Sequence, residues 1–374
     1  MSHAGSTILE HPAGAVAAVR PVVAVAGSTG PTVEPLGSAD WARWDRYVRV
    51  HSDGSLFHTM GWMHSVRDAF GHQPRYLIAR RAGRVAGVLP LFQVNSWLGG
   101  RMLISVPYGV EGGPLADDET ARSALVDRAI KLARAVQART LELRCAAADA
   151  GGFHAIDGYA AFRRALPDDP GAVLGWLPRK ARAAARNAEN KYHLTVEFNH
   201  GLLRAVWRLY ARSMRRLGSI AYPFRFFDEL VARFDRRAFV QVVRRDRRII
   251  AGLVSFRFGD RFMPYFAGCD ERRLDVSPNN YLYLTAMRHA VGQGCRLFDF
   301  GRTRVANKGA YDFKRFHGFV PQPVRYQRWV APNRAPADLT PGNPRLRTVR
   351  RLWKRLPLVV TRIAGPIAAR HIPG

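Results

Sequence analysis

The sequence predicts a mixed α/β protein of two similar domains in tandem, and three observations carry that expectation. Its 374 residues amount to about two domains at ~100–200 residues each. Helical and strand-like periodicities alternate along the chain and do not segregate into separate regions. Their order then recurs: Ala86-Gly87-Val88-Leu89 aligns with Ala251-Gly252-Leu253-Val254 at an offset of 165 residues, and Leu141-Glu142-Leu143 with Phe298-Asp299-Phe300 at 157. The expected domains are residues 36–165 and 172–330.

Residues 1–35 are rich in Ala, Gly, Val and Pro, show no period, and read as a mobile leader. Trp41, Trp44 and Tyr47 recur at helical spacing, and a second helix is expected over 60–70. An extended pair follows, 76–80 and 84–94, joined by a tight turn at Ala82-Gly83. Strand 102–106 leads through Gly109 and the Gly112-Gly113-Pro114 turn to an amphipathic helix over 120–138, then a short strand at 141–145. The second half repeats the plan. Helices are expected at 202–217 and 226–234, and strands at 239–244, 249–258 and 261–268. Ser277-Pro278 opens a helix ending near Gly292 or Gly294, and 297–300 is the closing strand.

Composition fits a globular protein: 47% of residues are hydrophobic and 11% aromatic. The unusual quantity is a net charge of +29, and it is unevenly placed. Residues 1–170 carry 18 basic and 16 acidic side chains, so 40 of the 58 basic residues fall in the second half against 13 acids. Such a field favours polyanions or an anionic membrane face. Three widely separated cysteines, Cys145, Cys269 and Cys295, predict neither disulfides nor structural metal. The apolar run 13–19 follows no basic segment and is broken at Arg20, so it predicts no signal peptide or membrane span, and the cytoplasm is the expected compartment. No His-Glu-x-x-His, Gly-x-Ser-x-Gly or Walker loop occurs, which leaves metalloprotease, serine hydrolase and NTPase readings unsupported.

Chemistry concentrates after residue 297. Leu297-Phe298-Asp299-Phe300-Gly301-Arg302-Thr303 ends a strand at a sheet rim, where crevices form in open α/β sheets. Arg302 suits an oxyanion or phosphate clamp, and Gly301 admits an unusual backbone turn. Asp299 reads either as the partner that orients Arg302 or as a proton acceptor. Only six lysines occur in the chain, and two of them, Lys308 and Lys314, fall here. In an arginine-rich sequence, Lys314 reads as an ammonium chosen to stabilise a tetrahedral oxyanion, or else as a solvated helix residue. The expectation is that Arg302 and Lys314 enter one shared cleft. Arg179, Arg182 and Arg186, spaced i, i+3 and i+7, form a basic stripe on one helical face with Lys180 beside it, either a site for tRNA or a diphosphate carrier, or a solvated helix face. A Pro-rich linker at 333–344 leads to a basic, amphipathic tail at 345–374. The part over 345–364 reads as an in-plane membrane-surface helix, an RNA-contacting segment, or a helix docked on the core.

The motifs Phe298-Asp299-Phe300-Gly301-Arg302, Tyr311-Asp312-Phe313-Lys314 and Gly318-Phe319 resemble the closing signature of FemA/FemB/FemX-type proteins, in particular the FemAB-related branch associated with exosortase (PEP-CTERM) polysaccharide loci. The likeness extends over about residues 40–330. It includes Trp176-Leu177-Pro178-Arg179-Lys180, Met214-Arg215-Arg216-Leu217-Gly218, Pro264-Tyr265-Phe266-Ala267-Gly268, Asn279-Asn280-Tyr281-Leu282-Tyr283, Gly87-Val88-Leu89-Pro90-Leu91 and Tyr108-Gly109. Thr303 and Asn307-Lys308 depart from the pattern.

The resemblance implies two tandem GNAT-like (acyl-CoA N-acyltransferase-like) domains. It implies direct attack of an amine on an activated acyl carbon, with aminoacyl-tRNA or acyl-CoA as donor. Phe313-Lys314 matches the lysine position associated with the transition state. Tyr265, Asn280, Tyr281, Tyr311 and Phe313 then line the substrate site, beside catalytic Lys314, Arg302 and Asp299. The expected acceptor is an amine of a cell-envelope or exopolysaccharide precursor; the expected compartment is the cytoplasm, peripheral on the inner membrane where residues 345–364 bind its surface. The segment 275–280 lacks the glycine pattern with which acetyl-CoA enzymes of this fold grip pyrophosphate. Two other readings stand beside this one: the same fold with an acyl-CoA donor, and a non-catalytic adaptor that binds a polyanion or membrane.

Overall fold

The computed structural model describes Met1 and residues 30–144, 152–334 and 344–373. Most of the expected leader and linker, and Cys145, lie outside the described residues. Among the described residues the expected leader contains a strand, however: Thr32–Pro35 pairs antiparallel with Leu77–Arg81. The leader reading extended too far, since a four-residue strand at a sheet edge carries too little periodicity to register.

Among the described residues the strands form two sheets. The smaller runs Thr32–Pro35, Leu77–Arg81, Arg84–Leu89, Leu115–Ala116 and is antiparallel throughout. The larger has eleven strands and crosses the whole molecule. Its second-half portion is the expected meander: Ala238–Arg245, Arg248–Phe258 and Arg261–Cys269, joined by tight turns. The expected strand over 84–94 is two strands in different sheets. Arg84–Leu89 stays in the small sheet, and after Pro90 the chain crosses over as Phe92–Ser96. Proline lacks the N–H that a continuous ladder needs.

Two strands absent from the sequence reading join the halves. Phe153–Ala165 pairs with Leu297–Arg304 on one side and with Pro321–Val330 on the other. Pro321–Val330 in turn pairs with Thr140–Arg144. Each half therefore lends a strand to the other, and one sheet is continuous across residues 166–171.

Packing follows from apolar faces. Helix Glu119–Ala135 buries Leu125, Ala129 and Ala133 over the small sheet, capped by the Asp118 side chain on Ala121 N. Helix Met60–Phe70 of the first half lies against Phe224–Phe234 of the second, with the Trp62 and Phe226 rings 5.5 Å apart. Phe70, Tyr108 and Phe266 extend this aromatic core between the lobes. On the other side of the rear sheet, Pro278–Gly292 and Arg179–Asn190 pack with Phe262 and Phe298.

The tail is ordered as two helices, Pro344–Arg355 and Leu358–Ala369, separated at Pro357. Its inward side docks on the protein's own core. Trp353 Nε1 donates to Ser219 O at 3.1 Å, Ser96 Oγ to His371 O at 2.7 Å, and Tyr108 OH to Ala369 O at 3.1 Å.

The rear sheet sits unusually close to helix Leu203–Leu217. A Cβ on Gly268 would lie 2.3 Å from Tyr210 N and 2.4 Å from Leu209 C, both backbone atoms that cannot swing away. Gly268→Ala is expected to lose about 3 kcal/mol or more of unfolding free energy. Gly292→Ala, with open space around it, should instead gain roughly 0.5–1 kcal/mol. Urea unfolding of both variants checks the pair.

Candidate functional site

The site is organised by an irregularity in Leu297–Arg304. Asp299 pairs with Arg163 and Arg302 with Ala161, so three residues on this strand span two on its neighbour and the register skips Phe300 and Gly301. Gly301 takes φ +64°, and its N–H is bonded by Asp299 Oδ1 at 2.8 Å. This is a β-bulge with glycine in the left-handed region. Its consequence is a change of face. Phe298 and Phe300 point into the rear core with Phe319, while Asp299, Arg302 and Arg304 lie on the opposite face, with Arg163, Ala161 and Tyr159.

Lys314 stands on the Phe300 face. Helix Lys308–Phe316, capped by the Asn307 side chain, lays Lys314 Nζ 2.8 Å from Phe300 O, the carbonyl that the bulge withdraws from the ladder. The ammonium lies 5.3 Å from the Phe162 ring and 5.5 Å from Phe300. Burial among these rings lowers its pKa to about 7, with Asp299 partly opposing the shift. Tyr311 packs edge-on to Phe162, and Phe313 lies against Tyr283 and His317. His317 Nδ1 faces Phe313 O at 2.7 Å, so it carries the proton, and Nε2 accepts from Asn280 Nδ2 at 3.4 Å. Burial lowers the pKa of this imidazole, with the hydrogen bond to Phe313 O partly opposing the shift.

Arg302 stands on the other face. Its guanidinium lies 4.6 Å from the Tyr159 ring and 5.1 Å from Tyr326. The expectation of one cleft shared by Arg302 and Lys314 is thus overturned. In a regular strand residues 300 and 302 share a face, and the extra bulge residue reverses that. Asp299 does not orient Arg302 either. It is buried and bonded by Arg163 Nε at 2.9 Å, in a network where Glu111 of the first lobe binds both Arg163 and Arg261. Tyr265 lies between the lobes on this side, donating its hydroxyl to Tyr108 O.

A wedge connects the two faces. Arg261–Cys269 and Leu297–Arg304 run parallel, paired only at Arg261–Leu297 and Phe262–Phe298. Beyond those residues the ladder between the two strands stops, which leaves a wedge between them. Helix Pro278–Gly292 starts behind it. Pro278 has no N–H, and Asn280 N and Tyr281 N bond to Ser277 O at 3.1 and 3.3 Å, so few donors face outward for an anion. Asn280 does not cap this helix, since its amide goes to His317. Tyr281 is buried in the rear core and lines no open site. Arg179, Lys180 and Arg186 are exposed on their helix, whereas Arg182 is half-buried and donates to Gly175 O at 3.1 Å.

Sequence reasoning missed Glu111, Arg163 and Arg261, and the tyrosines 159 and 326 that flank Arg302. Phe153–Ala165 contains Gly158 and small alanines, which blur a strand period. The run Phe162-Arg163-Arg164 beside Asp299 was the available signal.

Residues 178–315 match the model of the acetyltransferase (GNAT) domain. The chain therefore carries an acyltransferase domain of the GNAT class in its second half, within the fold of tandem GNAT proteins. Among solved structures it is similar to FemX, at 16% identity and a TM-score of 0.64, covering 85% of this chain and 100% of that one. It is similar also to the C-terminal domain (DUF2156) of a putative lysylphosphatidylglycerol synthetase from Agrobacterium fabrum, at 15% identity and TM-score 0.52, over 78% of this chain and 92% of that one. A tandem GNAT protein from the clavulanic acid biosynthesis pathway matches at 14% identity and TM-score 0.51, over 83% and 99%. No curated protein matches the sequence significantly.

The depressed Lys314 pKa makes the stability of the fold depend on pH. The unfolded chain binds this proton up to pH ~10.4 and the folded chain only up to about 7, so Lys314 costs stability below pH 7 and the cost fades as pH rises through that window. Because the side chain is only half-buried, the cost is about 1–3 kcal/mol. Lys314→Met should therefore raise Tm near pH 6 and lose that advantage near pH 10.5 in calorimetric scans.

Proposed function

We propose that the protein transfers an acyl or aminoacyl group to an amine of a cell-envelope or exopolysaccharide precursor, in the manner of the FemAB-related branch associated with exosortase loci. The observation that carries this reading is the Lys314 ammonium on the bulge carbonyl at the rim of the wedge. An acyl donor lying in the wedge brings its carbonyl carbon to Phe300–Gly301. The acceptor amine attacks it directly, the oxygen becomes negative, and protonated Lys314 stabilises that charge in a low-dielectric setting. The tetrahedral centre collapses to an amide and expels the donor's alcohol or thiol, which leaves with the proton from the amine. Alignment supplies much of the acceleration, so no nucleophilic triad is needed.

Arg302 and Arg304 act on the acceptor side. Positive charge in the inter-lobe face suits a phosphate or carboxylate on the precursor, with Tyr159, Tyr326 and Tyr265 framing it. The weak donor set at the start of Pro278–Gly292 favours an aminoacyl-tRNA ester over acyl-CoA, and the exposed Arg179, Lys180 and Arg186 suit an RNA phosphate backbone. An acyl-CoA donor would be signalled by CoA raising Tm. An adaptor without catalysis would leave cellular function intact in Lys314→Met.

Mass spectrometry of the envelope polymer with and without the protein identifies the transferred group. With that substrate in hand, Lys314→Met is expected to lower kcat by about 10²–10³-fold with little change in KM. Arg302→Ala should chiefly raise KM. As the ionised ammonium is the active form, kcat/KM should fall as pH rises through about 7. A normal polymer in cells carrying Lys314→Met overturns the proposal.

A further inference from the structure

Helix Leu358–Ala369 is turned inside out. Its small residues Thr361, Gly365 and Ala369 are buried against the core, and Gly365 admits Ala221 O at 3.3 Å from where a Cβ would be. Its large apolar residues face outward: Val359 is 64% exposed, Ile363 67% and Ile367 54%. These recur every four residues and so form one stripe along the outer face. A soluble surface helix has the reverse pattern, and contiguous exposed apolar area of this kind marks an interaction site.

The stripe does not end with the helix. Trp97, 81% exposed, stacks on His371 at 4.0 Å, and Leu98 beside it is exposed as well. Both stand on the turn between Phe92–Ser96 and Gly100–Ile104, so a segment of the first lobe, far away in sequence, continues the same surface. At the other end Val349 and Leu352 of Pro344–Arg355 are exposed, interleaved with Arg351, Lys354 and Arg355.

Charge selects the occupant. Residues 344–374 contain eight Lys and Arg and no acidic residue. A second copy of the same face would set these cations against one another, which disfavours a symmetric dimer. A bilayer bearing anionic headgroups accepts both parts at once: isoleucine, valine and tryptophan enter the headgroup–acyl boundary, and the arginines meet phosphate. Among the described residues no helix is long and apolar enough to cross a membrane, so the contact lies in the plane of the surface. We infer that the outer faces of the two C-terminal helices, continued by Trp97 and Leu98, are a docking surface for an anionic phospholipid bilayer.

The test uses the full-length protein and needs no substrate. Co-sedimentation is measured with vesicles of phosphatidylcholine alone and of phosphatidylcholine with about 30% phosphatidylglycerol. The expected result is binding to the mixed vesicles only, weakened by salt. The double variant Ile363→Asp, Ile367→Asp should lower the partition coefficient at least about tenfold, and Trp97→Ser severalfold, although it lies in the other lobe. All three positions are exposed, so the melting temperature should not change. Equal binding to both vesicles, no binding by the wild type, or undiminished binding by the variants overturns the inference. So does a dimer in sedimentation velocity that the Ile363→Asp, Ile367→Asp substitutions dissolve. Lys314→Met should bind vesicles as the wild type does, which keeps this result separate from the fate of the transfer reaction.

Discussion

One extra residue in the strand Leu297–Arg304 governs the geometry of the site. The bulge at Phe300–Gly301 releases a carbonyl from the sheet, and Lys314 occupies it. The same bulge turns Arg302 onto the Asp299 face, toward the first lobe. The parallel neighbour Arg261–Cys269 parts company with this strand at Phe298, just before the bulge. Placement of the ammonium and reversal of the guanidinium are thus consequences of one backbone event, which Gly301 permits by taking a positive φ without steric cost.

The second constraint is the exchange of strands between the lobes. Because Phe153–Ala165 and Pro321–Val330 lie beside each other and bond outward to opposite halves, neither half can complete its sheet without the other. Glu111 adds an electrostatic tie. It reaches from the first lobe to Arg163 and Arg261, bringing a carboxylate to a region where positive charge dominates. A chain with so few acids places several of them, Glu111, Glu142 and Asp299, on arginines at the lobe junction. Pairing there offsets the desolvation of the buried guanidinium groups.

Much of the fold was legible in residue patterns. The meander of the second half, the helix over 120–138 and the proline-opened helix at Ser277-Pro278 follow from periodicity and turn chemistry that act within a few residues. The strands at 153–165 and 321–330 were not legible, because prolines, glycine and alanine dilute their alternation and long-range pairing alone stabilises them. At the site, the scarcity of lysine picked out Lys314, and Gly301 announced an unusual turn. Which way that turn would send Arg302 depends on counting residues against a neighbouring strand 140 positions away, and no local pattern records that count.

By itself, then, the amino-acid order determined the alternation of helices and strands, the doubled plan, the weight of positive charge in the second half and the rare lysine that stands on the bulge carbonyl. Tertiary structure decided which cation faces which side of the sheet, that the two halves share a sheet, and that helix Leu358–Ala369 turns its small residues inward and its large ones out. The division has a physical reason. Periodicity, capping and turn preference are short-range properties of neighbouring residues, whereas register, face and burial are set by partners distant along the chain that only the folded backbone brings within bonding distance.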